Sequence, residues 1–149
     1  MAKRVFMFPG QGSQYIGMGK DFYDNFQTAK QVYEAASETA KLDVAKLCFE
    51  DDGSGRLNQT AYTQIAMLTT EAAILAVLKE QGVTAEAAAG LSLGEYGAIL
   101  AAEVMAPEDV FALIKKRGAY MQNAVPAGGA MAAVLGLDAE TIREVCEDT

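Results

Sequence analysis

The sequence predicts an α/β fold, and three observations carry that prediction. A short apolar run at its start, rich in Val and Phe, is stopped by Pro9-Gly10. A second short run ends in a glycine-flanked serine turn. Each run is followed by tracts with helical spacing of apolar residues, the alternation expected of strands joined by helical crossovers.

The first run, Arg4 to Phe8, reads as a strand feeding the turn Gly10-Gln11-Gly12-Ser13-Gln14. From Asp21 to about Leu47 the apolar residues Phe22, Phe26, Val32, Tyr33, Ala36 and Ala40 fall at mostly helical steps, over a length that suits two helices. Asp51 to Gly55 is a loop by composition. Asn58 to Gln81 is the clearest helix, with Gly82 placed for a left-handed C-terminal residue. The alanines of Ala85 to Ala89 favour helix on propensity, yet the serine turn that follows them requires a strand before it. Glu95 to Ala102 and Pro107 to about Gln122 read as helices, the second opened by Pro107, Glu108 and Asp109. A break at Pro126 to Gly129, a strand at Met131 to Leu137 and a helix capped by Asp138 complete the pattern, with Ile142, Val145 and Cys146 expected to face inward.

Composition narrows the chemistry. At 149 residues the chain is long enough to bury a core of its own, with 51% hydrophobic and 21% charged residues. It contains no histidine, which excludes any Ser-His or Cys-His pair and any His-based metal site assembled from these residues alone. Cys48 and Cys146 are far apart and fit neither zinc ribbons nor redox CxxC motifs; no metal is expected. The net charge of −8 argues against a nucleic-acid or anionic-membrane surface. No run is read as a membrane span and no secretory leader is read at the start, so the expected location is cytoplasmic.

Three motifs carry chemistry. Gly90-Leu91-Ser92-Leu93-Gly94 is a G-x-S-x-G between a predicted strand and helix, where a strained turn lifts the serine oxygen clear of the backbone. The amide of Leu93 then points to where an oxyanion would develop. The Gly10 to Gln14 turn could cradle a phosphate, although it lacks the lysine of a P-loop and the spacing of a dinucleotide fold; it could instead supply a second oxyanion donor, or be only a turn. Arg117 shares a helix face with Val110, Ile114 and Met121, so it either snorkels to the rim or turns inward for a carboxylate.

Together, GQGSQ after the first strand, GLSLGEY at the serine and KKRGAYMQNAVPAGGAMAAVLGL around the arginine closely resemble the N-terminal half of malonyl-CoA:acyl-carrier-protein transacylases, and more broadly the acyltransferase domains of fatty-acid and polyketide synthases. The resemblance runs from Val5 onward. It implies that Ser92 takes a malonyl group from coenzyme A and passes it to the phosphopantetheine thiol of acyl carrier protein through a malonyl-serine ester. It also implies that Gln11 and Leu93 give oxyanion-hole amides, that Arg117 pairs with the malonyl carboxylate, and that Gln64 lies near the pocket. No cofactor is implied beyond the two thioester substrates. Residues 1–126 would belong to a hydrolase-like parallel-sheet subdomain, here incomplete, and 127–149 would begin a ferredoxin-like one. Starting at Met1 just before the first strand suits a free-standing enzyme of fatty-acid synthesis.

Two departures accompany the resemblance. Leu91 stands where many members have histidine, and the family's catalytic histidine lies in sequence beyond Thr149. The chain is therefore expected to be inactive alone and to need a missing C-terminal half. The rival readings are a serine esterase of the α/β-hydrolase type and a non-catalytic fragment that complements a second chain.

Overall fold

The structure, a computed structural model, describes residues 3–124 and 134–147. The element order is β1 (Val5–Phe8), α1 (Lys20–Asn25), α2 (Gln27–Ala40), α3 (Val44–Phe49), a 3-10 turn (Arg56–Asn58), α4 (Thr60–Glu80), β2 (Ala87–Gly90), α5 (Gly94–Ala101), α6 (Pro107–Ala124) and α7 (Ala139–Glu147). β1 and β2 pair in parallel, from Val5 opposite Ala87 to Phe8 opposite Gly90, so the α/β class holds and α1 to α4 form the crossover. The alanine run becomes β2 because the Glu86 amide reaches the Arg4 carbonyl at 3.0 Å and the run extends along β1 from there. Tertiary pairing here outweighs helix propensity.

The tract expected to hold two helices holds three. Phe26 adopts an extended conformation between α1 and α2, and Lys41, at φ 53°, ends α2 in the left-handed region. Asp43 then caps α3, its carboxylate accepting from the Lys46 amide at 2.9 Å. At the end of α4, Gly82 takes the expected left-handed turn at φ 72°, and the Val83 amide reaches back to the Leu78 carbonyl at 2.9 Å.

α4 is the central helix, packed by α2, α5 and α6, and every residue from Thr63 to Ala73 is buried. A helix apolar all round is a core helix, which is why its pattern alone does not single out one face. By length and composition Thr60–Glu80 could also cross a membrane, although no run is read as a span from the sequence alone. In the fold this apolar surface is taken up by neighbouring helices instead.

The last segment departs further from expectation. Pro126 to Gly129 and Met131 to Ala133 lie outside the described residues, as does the expected boundary at 126/127. Val134 to Leu137 are not strand, and their apolar side chains are exposed; no described strand lies alongside to take their backbone groups. Asp138 does cap α7, accepting from the amides of Glu140 and Thr141 at 3.0 Å. Val145 and Cys146 are nevertheless exposed and Ile142 only partly covered, because no described element packs substantially against α7.

The two cysteines are free and differ in surroundings. Cys48 is fully buried near Tyr33 and Thr70, and burial pushes its thiol up to about 12, whereas Cys146 is exposed. One thiol should therefore react with a disulfide reagent in the native chain and two in denaturant, because the reactive species is the thiolate and access is required. Two fast-reacting thiols under native conditions would contradict the packing around Cys48.

Glu71, in the middle of α4, is only 8% exposed, and neither carboxylate oxygen has a hydrogen-bond partner among the described residues. Burial pushes its carboxyl from 4.5 up to about 8. Between these values the unfolded chain is ionised while the folded chain keeps the proton. Stability therefore falls as pH rises from about 5 to 8 and then levels, by on the order of a few kcal/mol. Glu71→Gln should flatten that slope in urea denaturation at pH 5 to 8; an unchanged slope would contradict it.

Candidate active site

The serine turn is built from its glycines. Ser92 sits at φ 54°, in the left-handed region, between the end of β2 and the start of α5. The Leu91 amide continues the strand pairing to the Phe8 carbonyl at 3.2 Å, and the Gly94 amide closes the turn on the Leu91 carbonyl at 2.9 Å. A side chain at Gly90 would overlap the Gly94 carbonyl and the Glu95 amide, and one at Gly94 would lie 2.7 Å from the Pro9 carbonyl oxygen and overlap that of Phe8. Both glycines are thus required by close backbone approach, and the result is an exposed Ser92 beside a fully buried Leu93.

The other candidates converge on that serine through one chain of hydrogen bonds. Arg117, from α6, donates from Nη2 to Ser92 Oγ at 3.0 Å and from Nη1 to Gln64 Oε1. Gln64 Nε2 donates to Gln11 Oε1 at 2.9 Å, and Gln11 Nε2 donates to Thr60 Oγ1 at 3.0 Å. Gln64 is fully buried with both ends of its amide engaged, so it ties the arginine to the glycine-rich loop. α6 can come this close to α4 because Gly118 is small: a side chain there would press on Gln64 Cβ at 3.1 Å and on the Thr60 and Ala61 carbonyls at 3.2 Å.

Arg117 is partly buried, and its guanidinium also lies 5.6 Å from the centre of the Tyr96 ring. It therefore turns toward the serine, unlike its helix-face neighbour Met121, which is 41% exposed. The amides of Gln11 and Leu93 donate to no acceptor among the described residues, which leaves both as potential oxyanion donors. Thr60 and Tyr96 went unrecognised in the sequence. Tyr96 lies one helical turn after Ser92 and within the GLSLGEY run, a spacing that could have drawn attention to it. Thr60 carries no such signal. Leu91 is 72% exposed beside the serine.

Chemically, the site offers a nucleophilic oxygen, a cation within hydrogen-bond reach of it and two unsatisfied amides, that of Leu93 at the start of α5 and that of Gln11 in the loop after β1. It offers no proton acceptor of the histidine type. Among the described residues there is no group of His, Cys, Asp or Glu side chains suited to a metal.

Comparison with known proteins gives the family. Residues 5–149 match the family described as the acyl transferase domain. The malonyl CoA-acyl carrier protein transacylase of Bacillus subtilis is 47% identical over 148 residues, covering 99% of this chain and 46% of the relative. The crystal structure of the Clostridium perfringens transacylase of the same name superposes with a TM-score of 0.85 at 46% identity, over 99% of this chain and 46% of that one. A malonyl-transacylase in complex with a type II PKS acyl-carrier protein gives 0.88 at 38% identity, over 99% of this chain and 48% of that one. The chain spans about half the length of the curated relatives it matches. With the fold, the family match and these likenesses in agreement, the chain belongs to the acyl transferase domain family.

Proposed function

We propose that this chain is the nucleophile-bearing half of a malonyl-CoA:acyl-carrier-protein transacylase of fatty-acid synthesis. The observation that carries the reading is the Arg117 guanidinium held within 3.0 Å of Ser92 Oγ by Gln64 and over Tyr96. A general esterase acting on neutral acyl groups has no use for a cation there, whereas a malonyl group ends in a carboxylate that a guanidinium can grip with two parallel hydrogen bonds.

In this reading Ser92 Oγ attacks the malonyl thioester carbonyl, and the Gln11 and Leu93 amides stabilise the resulting oxyanion. Collapse breaks the C–S bond, releases coenzyme A as the thiol and leaves a malonyl-serine ester. The phosphopantetheine thiol of the carrier protein then attacks that ester and restores the serine hydroxyl. The proton taken from Ser92 needs an acceptor, which the family supplies as a histidine outside these 149 residues. Acyl transfer through a serine ester calls on side chains and backbone amides, and no cofactor is assigned. The exposed Lys115 and Lys116 offer a local positive patch for the acidic carrier protein on an otherwise acidic chain. The same reading keeps the boundary between large and small subdomains at 126/127 and a cytoplasmic location.

The isolated chain mixed with malonyl-CoA should show no acylation burst above a Ser92→Ala control, because no residue in it can act as the histidine does. A stoichiometric malonyl-enzyme formed at an enzymatic rate by this chain alone would overturn the division of labour.

A further inference from the structure

Two neighbouring amides of the loop after β1 differ in standing. The Gly12 amide donates to Gln14 Oε1 at 2.8 Å, whereas the Gln11 amide meets no acceptor among the described residues. Gly10 lies against Leu91, yet beyond it packing ends: Gln11 is exposed, and a side chain at Gly12, at φ 112°, would meet nothing within 4 Å. The loop is fastened instead by its two glutamine side chains. Gln14 Nε2 donates to Asn58 Oδ1 at 3.0 Å, and Gln11 is held at both ends of its amide, by Thr60 at 3.0 Å and by Gln64 at 2.9 Å.

The direction of these bonds is forced. A guanidinium only donates, so Gln64 turns Oε1 to Arg117 and Nε2 to Gln11. Gln11 Oε1 is thereby taken, Gln11 Nε2 points to Thr60, and Thr60 Oγ1 accepts. Thr60 and Gln64 stand one turn apart on α4, so the central helix presents both anchors at a fixed spacing. Among the described residues Thr60 Oγ1 makes no other hydrogen bond.

We propose that Thr60 is a positioning residue for acyl transfer: by fixing one end of the Gln11 side chain, with Gln64 at the other, it aims the Gln11 amide at the oxyanion. The proposal rests on reading the chain as one half of a transacylase. It adds a residue that acts on every acyl group alike, whereas Arg117 acts on the malonyl carboxylate.

The test uses a chimera in which these 149 residues replace the stretch they match in the Bacillus subtilis relative, with single-turnover acylation of Ser92 followed from malonyl-CoA and from acetyl-CoA. Thr60→Val, which keeps the shape and removes the acceptor, should lower the limiting acylation rate about five- to tenfold for both thioesters, the effect of one lost hydrogen bond. The half-saturating concentration should move less than about twofold, because the oxyanion develops only toward the transition state. Thr60→Ser keeps the acceptor and should stay within about twofold of the parent. In isotope-edited infrared spectra the malonyl-Ser92 carbonyl should move to higher frequency in Thr60→Val and not in Thr60→Ser, a readout of the bond from the Gln11 amide itself. Gln11→Met, which drops both anchors and keeps the backbone amide, should lose at least as much rate and decides alone if Thr60→Val does not fold. A parental rate in either variant, equal loss in valine and serine, an unshifted carbonyl or a loss confined to malonyl overturns the proposal. A parent chimera that leaves Ser92 unacylated overturns the transacylase reading and the proposal with it; a parent that acylates while the Thr60 variants behave alike overturns the proposal alone.

Discussion

Gly90→Ala is expected to abolish the serine turn and cost the chain on the order of 3–5 kcal/mol, at the severe end for a single substitution. The added methyl group would overlap the Gly94 carbonyl and the Glu95 amide, main-chain atoms that cannot rotate away as a side chain does. Relieving the overlap means separating the end of β2 from the start of α5, and with it the left-handed Ser92 and the bond from the Leu91 amide to Phe8. Urea denaturation should show a greatly lowered midpoint or no folded baseline. As a control, Gly53→Ala meets no atoms within 4 Å and bears only the penalty of a φ of 70°. It should cost about 1 kcal/mol. Similar midpoints for the two variants would mean that the turn is not packed as described.

The second large effect is on selectivity. In a chimera where these 149 residues replace the stretch they match in the Bacillus subtilis relative, Arg117→Ala should lower kcat/KM for malonyl-CoA by about ten- to a hundredfold, the loss expected for charge-assisted hydrogen bonds. Acetyl transfer, which offers no carboxylate, should change by less than about threefold. Arg117→Lys should recover only part of the malonyl rate, since an ammonium keeps the charge without the planar fork. An equal fall for both acyl groups would assign Arg117 to holding Ser92 and Gln64 in place, and would favour the esterase reading or a structural role.

What could be read in the sequence was what local chemistry dictates. Gly90 is specified by atoms four and five residues on, at Gly94 and Glu95, and Asp138 and Gly82 mark helix ends by their own hydrogen bonds and backbone angles, whereas Gly94 and Gly10 meet chain far away in sequence, at Phe8 and Pro9 and at Leu91. Arg117 was conspicuous as a charge on an apolar face, but its direction was undecidable until α6 was seen packed against α4 at Gly118. Gln64 was placed near the pocket; its engagement at both ends depends on α4, α6 and the Gln11 loop meeting in space. Glu71 gave no sign, because a glutamate in a helix is ordinarily solvated and only the arrangement of β1, α4 and α5 buries it. α7 failed in the opposite sense: its amphipathic pattern predicts burial that no described element provides.

The central claim is that Ser92 carries the acyl group and that its activating base comes from outside this chain. Peptide mapping by mass spectrometry after brief exposure of the chimera to malonyl-CoA tests it most directly. The account predicts one malonyl ester per chain, located on Ser92, absent from the Ser92→Ala variant and discharged by phosphopantetheinyl acyl carrier protein. An adduct on another residue, or one that persists in Ser92→Ala, would contradict it.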